Sequence, residues 1–254
     1  MMPERAKALA LPIALLLVAE IWTRALHVQS DSLAPPSAVA AALIEALSDG
    51  SMLVATRDTL ASAFAGLLAS SAIGLALGIT LGMFQIIDRL MEVTIETIRP
   101  IPSIALLPIA LIALGFGYRM EIAIVTFACV WPILILSRAA VRGIEPRLLE
   151  VSRALRLSLG DQVRKIIIPA SLPRIFVAFR LSAGIALIVA VSVEIAINPI
   201  GLGAAIMTAQ QALRPDLMLA YLLWIGVIGY ALNRGLVIAQ QRLFGRAALV
   251  GEAS

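Results

Sequence analysis

Long apolar runs separated by short polar segments dominate the chain. The longest is Thr59–Ile87, which has 29 residues without a charge between Asp58 and Asp88. Ile101–Tyr118 and Ile122–Ser137 follow, close enough to read as a hairpin turning near Gly117–Arg119. Leu217–Asn233 is a further uncharged run, and Ile175–Ile197 carries only Arg180 near its start and Glu194 near its end. Leu9–Leu26 opens the series, with Glu20 and Arg24 in its second half. A spanning helix needs about 20 mostly apolar residues. The pattern therefore predicts about six transmembrane helices and an all-α polytopic membrane protein. The first run is no good signal peptide, because Glu20, Trp22 and Arg24 stand where small cleavage-site residues belong. Glu20 and Arg24 are four apart on one helix face, in the favourable order.

Composition agrees: 61% of the 254 residues are hydrophobic and 14% charged, against about 25% charged in a soluble domain. This excludes a cytosolic enzyme, a disordered chain and a secreted disulfide scaffold. One cysteine, Cys129, and one histidine, His27, leave no usual zinc site, and no metal or cofactor is expected. The net charge of +4 points to topology rather than to nucleic acid. With the N-terminus in the cytoplasm and six spans threaded, fifteen Lys/Arg fall inside and four outside, with Arg180 in a helix. The positive-inside rule then puts both termini in the cytoplasm.

Two connections are long enough to be structured. Pro35-Pro36-Ser37 precedes a periodic stretch (Val39, Leu43, Leu47), which predicts a short amphipathic helix. It either lies on the outer surface or packs against neighbouring spans. The segment Arg138–Arg174 carries eight Lys/Arg and three acids. In it Arg147–Leu157 has helix-forming composition, and Ser158 with Asp161 forms a capping-box pattern that opens a second helix. Val163, Ile166 and Ile167 share one face of that helix, and Pro169 and Pro173 are expected to end it. A basic loop near anionic lipid needs no such build, so a protein partner is favoured.

Small residues recur every fourth position along the long run: Ser62, Gly66, Ser70, Gly74, Gly78 and Gly82. Such a stripe lets helix backbones approach closely in lipid. It serves packing within the chain, a dimer seam or a pore lining. Pro100, Pro102 and Pro108 crowd the third run and Pro132 sits in the fourth. Prolines free carbonyls, which is tolerated where helices pack or line a cavity, so Pro102 and Pro108 are candidates for a translocation path. Glu194 is a third candidate, since an intramembrane carboxylate is a functional candidate by default. Its place near a span end also fits a carboxylate hydrated at the outer interface. Phosphate-loop, nucleophile-elbow and zincin motifs are absent, and no catalytic residue is assigned.

Glu150-Val-Ser-Arg-Ala-Leu-Arg156, followed by Ile166-Ile-Ile168-Pro169, resembles the E-A-A-x-x-x-G…I-x-L-P signature of ABC importer permeases. Arg99-Pro100-Ile101-Pro102, Ala105-Leu-Leu-Pro108, Leu114-Gly-Phe-Gly117 and Ile200-Gly-Leu-Gly203 are similar to the nitrate/sulfonate/taurine-type branch. The resemblance runs from about Pro35 to Ala239. It implies a type I importer permease fold: one permease domain over 1–254, with an N-terminal helix and outer segment (1–34), a core (35–239) containing a coupling loop (138–174), and a cytoplasmic tail (240–254). It implies a multi-pass subunit of the bacterial cytoplasmic membrane that is not itself an enzyme. Its implied partners are two ATP-binding subunits, a second permease copy (a homodimer) and a periplasmic or surface-anchored binding protein. Glu150, Val151, Ser152, Arg156, Ile166, Ile168 and Pro169 take the signature positions of the ATPase-coupling loop, and Ser158 and Asp161 its cap. The family glycine is replaced by Arg156, which lacks glycine's conformational freedom. The implied cargo is a small anion or polar metabolite: a sulfonate, taurine, nitrate or a vitamin precursor. The alternative is a secondary transporter or channel working without an ATPase. It would want an internal repeat and more charged midplane sites.

Overall fold

The computed structural model describes residues 4–25 and 33–245. His27 and Asp31, the outermost part of the first connection and the end of the tail lie outside these. All elements among the described residues are helical. They are α1 (Glu4–Ala25), α2 (Pro36–Ser48), α3 (Ser51–Met83), α4 (Gln85–Ile98), a 3-10 turn (Ser103–Leu106), α5 (Leu107–Leu114) and α6 (Tyr118–Arg142). Then come α7 (Pro146–Ala154), α8 (Leu159–Gln162), a π turn (Val163–Ile167), α9 (Ile168–Ala196), α10 (Gly201–Gln211) and α11 (Pro215–Phe244).

Four stretches among the described residues are long and apolar enough to cross a membrane: α3, α6, the run from Leu159 to Gln211 that contains α9, and α11. A fifth counts if α4 and the Ser103–Leu114 segment, bent by 81°, are one broken span. The stretch read as the first span forms the 22-residue α1. The third run, Ile101–Tyr118, is therefore not a straight helix. Pro100 and Pro102 deny the backbone two N–H donors and bias the preceding residues away from helix, so the chain turns before α5 begins.

The chain divides into two compact units. The first comprises Met1–Thr59 and Glu194–Ile228. Its core joins Ala42 and Ala46 of α2, Met52 and Ala55 of α3, Leu202 and Ile206 of α10, and Ala220 and Tyr221 of α11. Of the two readings of α2, the packed one describes this helix: Val39, Leu43 and Leu47 lean on the same core. Pro36 starts α2 where a missing N–H costs nothing. Glu20 of α1 accepts from the Ser37 N–H at 3.0 Å and from its hydroxyl at 2.7 Å, and Arg24 pairs with Glu20 at 2.5 Å. Asp49 accepts the Ser51 N–H at 2.8 Å where α3 begins, and this bond holds its carboxyl below the usual carboxylate range.

The second unit comprises Leu60–Val193 and Gly229–Ser254. In it α3 lies on α6 along the small-residue stripe. A Cβ on Gly66 would sit 2.6 Å from Val125, one on Gly74 2.9 Å from Ile133, and one on Gly82 2.7 Å from Val141. At Gly78 the clash would be with backbone, 2.7 Å from the Leu134 carbonyl oxygen. Ser70, buried on the same stripe, turns its hydroxyl to the Leu67 carbonyl at 2.9 Å. Pro132 lies inside α6, which runs on past it to Arg142.

Candidate functional site

The segment between α6 and α9 carries the sequence signature. Pro146 opens α7 at its first position, where proline's fixed φ suits the helix. Glu150 and Val151 are exposed on α7, and Ser152 is buried. The helix then closes in a Schellman arrangement. The Leu157 N–H reaches back to the Ser152 carbonyl at 3.1 Å, and Arg156 between them has φ +49°. That closure needs one residue in the left-handed region, usually glycine. Arg156 thus adopts the glycine conformation at a cost that glycine would avoid, and the turn keeps its shape.

Ser158 caps α8. Its Oγ accepts from the Asp161 N–H at 3.2 Å and its hydroxyl donates to the Asp161 carboxylate at 2.9 Å. Asp161 in turn pairs with Lys165 at 2.8 Å. Here Asp161 reaches the cap's hydroxyl, where the capping-box pattern expects the cap's backbone N–H. Ile166 is half-buried, Ile167 buried, and Ile168 and Pro169 exposed.

Pro169 and Pro173 do not end the helix, contrary to expectation. The π turn Val163–Ile167 absorbs the register change, and Pro169 then falls in the first turn of α9, where a missing N–H costs little. Pro173 lies inside α9. Nearby, the Ser171 hydroxyl bonds the Ile167 carbonyl at 2.5 Å.

The stem of the segment is anchored. Val141, Ile144 and Ile167 form a buried cluster against Ile79, Met83 and Val163. Arg174 of α9 donates to the Gly143 carbonyl at the end of α6, at 3.3 Å. The last turns of α6 also hold Asp88, in the first turn of α4. Arg138 straddles the Asp88 carboxylate, with Nε 2.8 Å from Oδ1 and Nη2 donating to Oδ2 at 2.9 Å, and Arg142 pairs with the same Oδ2. Asp88 is 3% exposed. Sequence reasoning missed it, because it read Asp88 as the polar edge of a span; the signal was two arginines four apart in the next inside segment.

Pro102 and Pro108 are exposed, before and within the short α5. Glu194, in the first unit, is 2% exposed, so it is not a hydrated interfacial carboxylate. Its Oε2 accepts the Gly203 N–H at 2.7 Å, so a carboxyl group caps the N-terminus of α10. Gly201 has φ +92°, and a Cβ there would strike the Glu194 carboxylate. Ile200-Gly-Leu-Gly203 therefore reads as a turn that admits a carboxylate. In the second unit, the first turn of α6 holds another buried acid that the sequence reading passed over: Glu121 accepts from the Ser62 hydroxyl on α3.

A family model described as binding-protein-dependent transport system inner membrane component matches residues 70–248. A putative ABC transporter permease protein of Methanocaldococcus jannaschii is 34% identical over 199 residues, 78% of this chain and 74% of that protein. A putative aliphatic sulfonates transport permease protein of Bacillus subtilis is 26% identical over 223 residues, 88% of this chain and 81% of that protein. Among solved structures, a chain of the inward-facing MetNI methionine ABC transporter superposes with a TM-score of 0.67 at 22% identity, covering 78% of this chain and 96% of that one.

Proposed function

Since the chain belongs to the binding-protein-dependent transport system inner membrane components, we propose that it is the permease subunit of an ATP-driven importer whose ATPase grips α7 and α8. The observation that carries this reading is the exposed Glu150–Val151 face of α7, closed by a glycine-type turn at Arg156 and tied at its stem to α6 and α9. A helix held that way is a rigid handle. Force applied to it reaches the spanning helices.

In this reading both termini and the loop lie in the cytoplasm, as the distribution of fifteen against four basic residues favours. Two ATP-binding subunits and a second copy of the chain complete the membrane assembly, and an external binding protein delivers the cargo. ATP binding draws the two ATPases together, the handles follow, and the path between the permease copies alternates its access. The cargo is a small anion or polar metabolite (a sulfonate, taurine, nitrate or a vitamin precursor), a class that the sulfonate, nitrate and taurine permeases among the relatives support. Selection rests mainly with the binding protein.

The test is purification of the tagged chain from its native membrane. ATP hydrolysis that co-elutes with the chain is the expected result. A chain that carries no ATPase, and that by itself moves sulfonate or nitrate into liposomes, overturns the reading in favour of a secondary transporter or channel.

A further inference from the structure

We infer that Asp88, clamped by Arg138 and Arg142, is a positioning residue that makes α4 follow the signature segment. This rests on the proposed docking of an ATPase to α7 and α8. A carboxylate taken out of water is costly unless opposite charges and hydrogen bonds replace the lost solvent. Asp88 is 3% exposed and has both: Arg138 across its two oxygens and Arg142 on one of them. The two arginines are one turn apart on α6, so their side chains leave the helix on the same side. Arg142 is the last residue of α6, and only Gly143, Ile144 and Glu145 separate it from α7. The ion pairs thus join the root of the handle to the first turn of α4.

The surroundings make this tie matter. Beside it lies a recess of about 800 Å³, lined by Arg89 and Glu92 of α4 and by Leu159 and Gln162 of α8. Asp88, Arg138 and Arg142 line the same recess; farther along α4 Ile95 packs with Leu134 of α6, and at the first turn the ion pairs make the link. α4 leads into the Ser103–Leu114 segment at a bend of 81°, so a shift of α4 moves one arm of that bent pair. Hydrogen bonds from both arginines converge on Oδ2, and the Arg138 Nε charge lies 2.8 Å from Oδ1, so the carboxylate is held from two residues of one helix. That hold suits a joint that must carry a displacement without slack.

The experiment uses the permease–ATPase complex in lipid nanodiscs, in a Cys129→Ser background. Spin labels replace the partly exposed Met91 on α4 and Leu148 on α7 in one tagged permease copy, co-assembled with unlabelled copies so that only the distance within one chain is read. Distances are read without nucleotide and after trapping with ATP and vanadate. The expected result is one narrow distance in both states for the unaltered clamp. In Asp88→Asn that single distance is lost on trapping, while ATP hydrolysis continues. Arg142→Gln, which leaves Arg138 in place, shows the same loss in weaker form and serves if Asp88→Asn does not fold. The inference is overturned if the unaltered pair changes distance on trapping. It is equally overturned if Arg142→Gln, or Asp88→Asn when folded, keeps the narrow distance in both states. Failure of any ATPase to associate strikes the proposed function instead, so the two failures are distinct.

Discussion

Arg156 bears a local strain that its sequence neighbours create. The Schellman closure of α7 requires the left-handed backbone found there, and a side chain in that region costs roughly 1 kcal/mol relative to glycine. Arg156→Gly should stabilise the purified chain by about 1 kcal/mol in thermal or denaturant unfolding. A loss of stability would mean that the arginine side chain makes a contact worth more than the strain. At Gly201 the sign reverses. Its φ of +92° and the adjacent Glu194 carboxylate make Gly201→Ala destabilising. Glu194→Ala should cost about 2 kcal/mol, because it leaves the buried Gly203 N–H without this acceptor. Unfolding measurements on both variants check this, and stability unchanged in Glu194→Ala would contradict the capping role. The sequence made part of this legible. The glycine position of the motif flagged Arg156, and an acid in an apolar run flagged Glu194. It could not show that Glu194 faces the turn nine residues on, because that depends on the chain folding back at Asn198–Ile200.

At the scale of elements, the α3–α6 contact is decided by absent side chains. Lipid offers no hydrophobic drive between helices, so close approach must supply the attraction. Gly78 is the tightest point against backbone. Gly78→Leu should cost on the order of 3 kcal/mol by forcing the helices apart and should lower membrane yield. Gly184→Ala in α9, with open space around the added Cβ, should be neutral or stabilising by up to ~1 kcal/mol. Equal yields of the two variants would contradict the packing account. The stripe could be read from sequence because its four-residue spacing is a local property of one helix. The breaks could not. Prolines mark where a helix is in difficulty, and tertiary packing decides the outcome: Pro100 and Pro102 break the third run, whereas Pro169 is absorbed behind a π turn and α9 continues. Asp88 was hidden for a related reason. Its partners lie fifty residues on, and no local pattern links them.

The whole molecule is a multi-pass helical membrane protein, and in the proposed reading the polar segment from α7 to α8 is what a partner holds. Its spans carry few charges, and the charges they bury cap helices or bind neighbouring helices together. That arrangement suits a passive path driven from outside the chain. The central claim is that α7 is the grip. The most direct measurement is the amount of ATPase retained per permease when the complex is purified from membranes carrying Glu150→Lys, with Glu145→Lys as a charge-matched control just before α7. Glu150→Lys should lose the ATPase and its hydrolysis, the control should retain both, and helical content by circular dichroism should be unchanged in each. Full retention of an active ATPase by Glu150→Lys would contradict that claim.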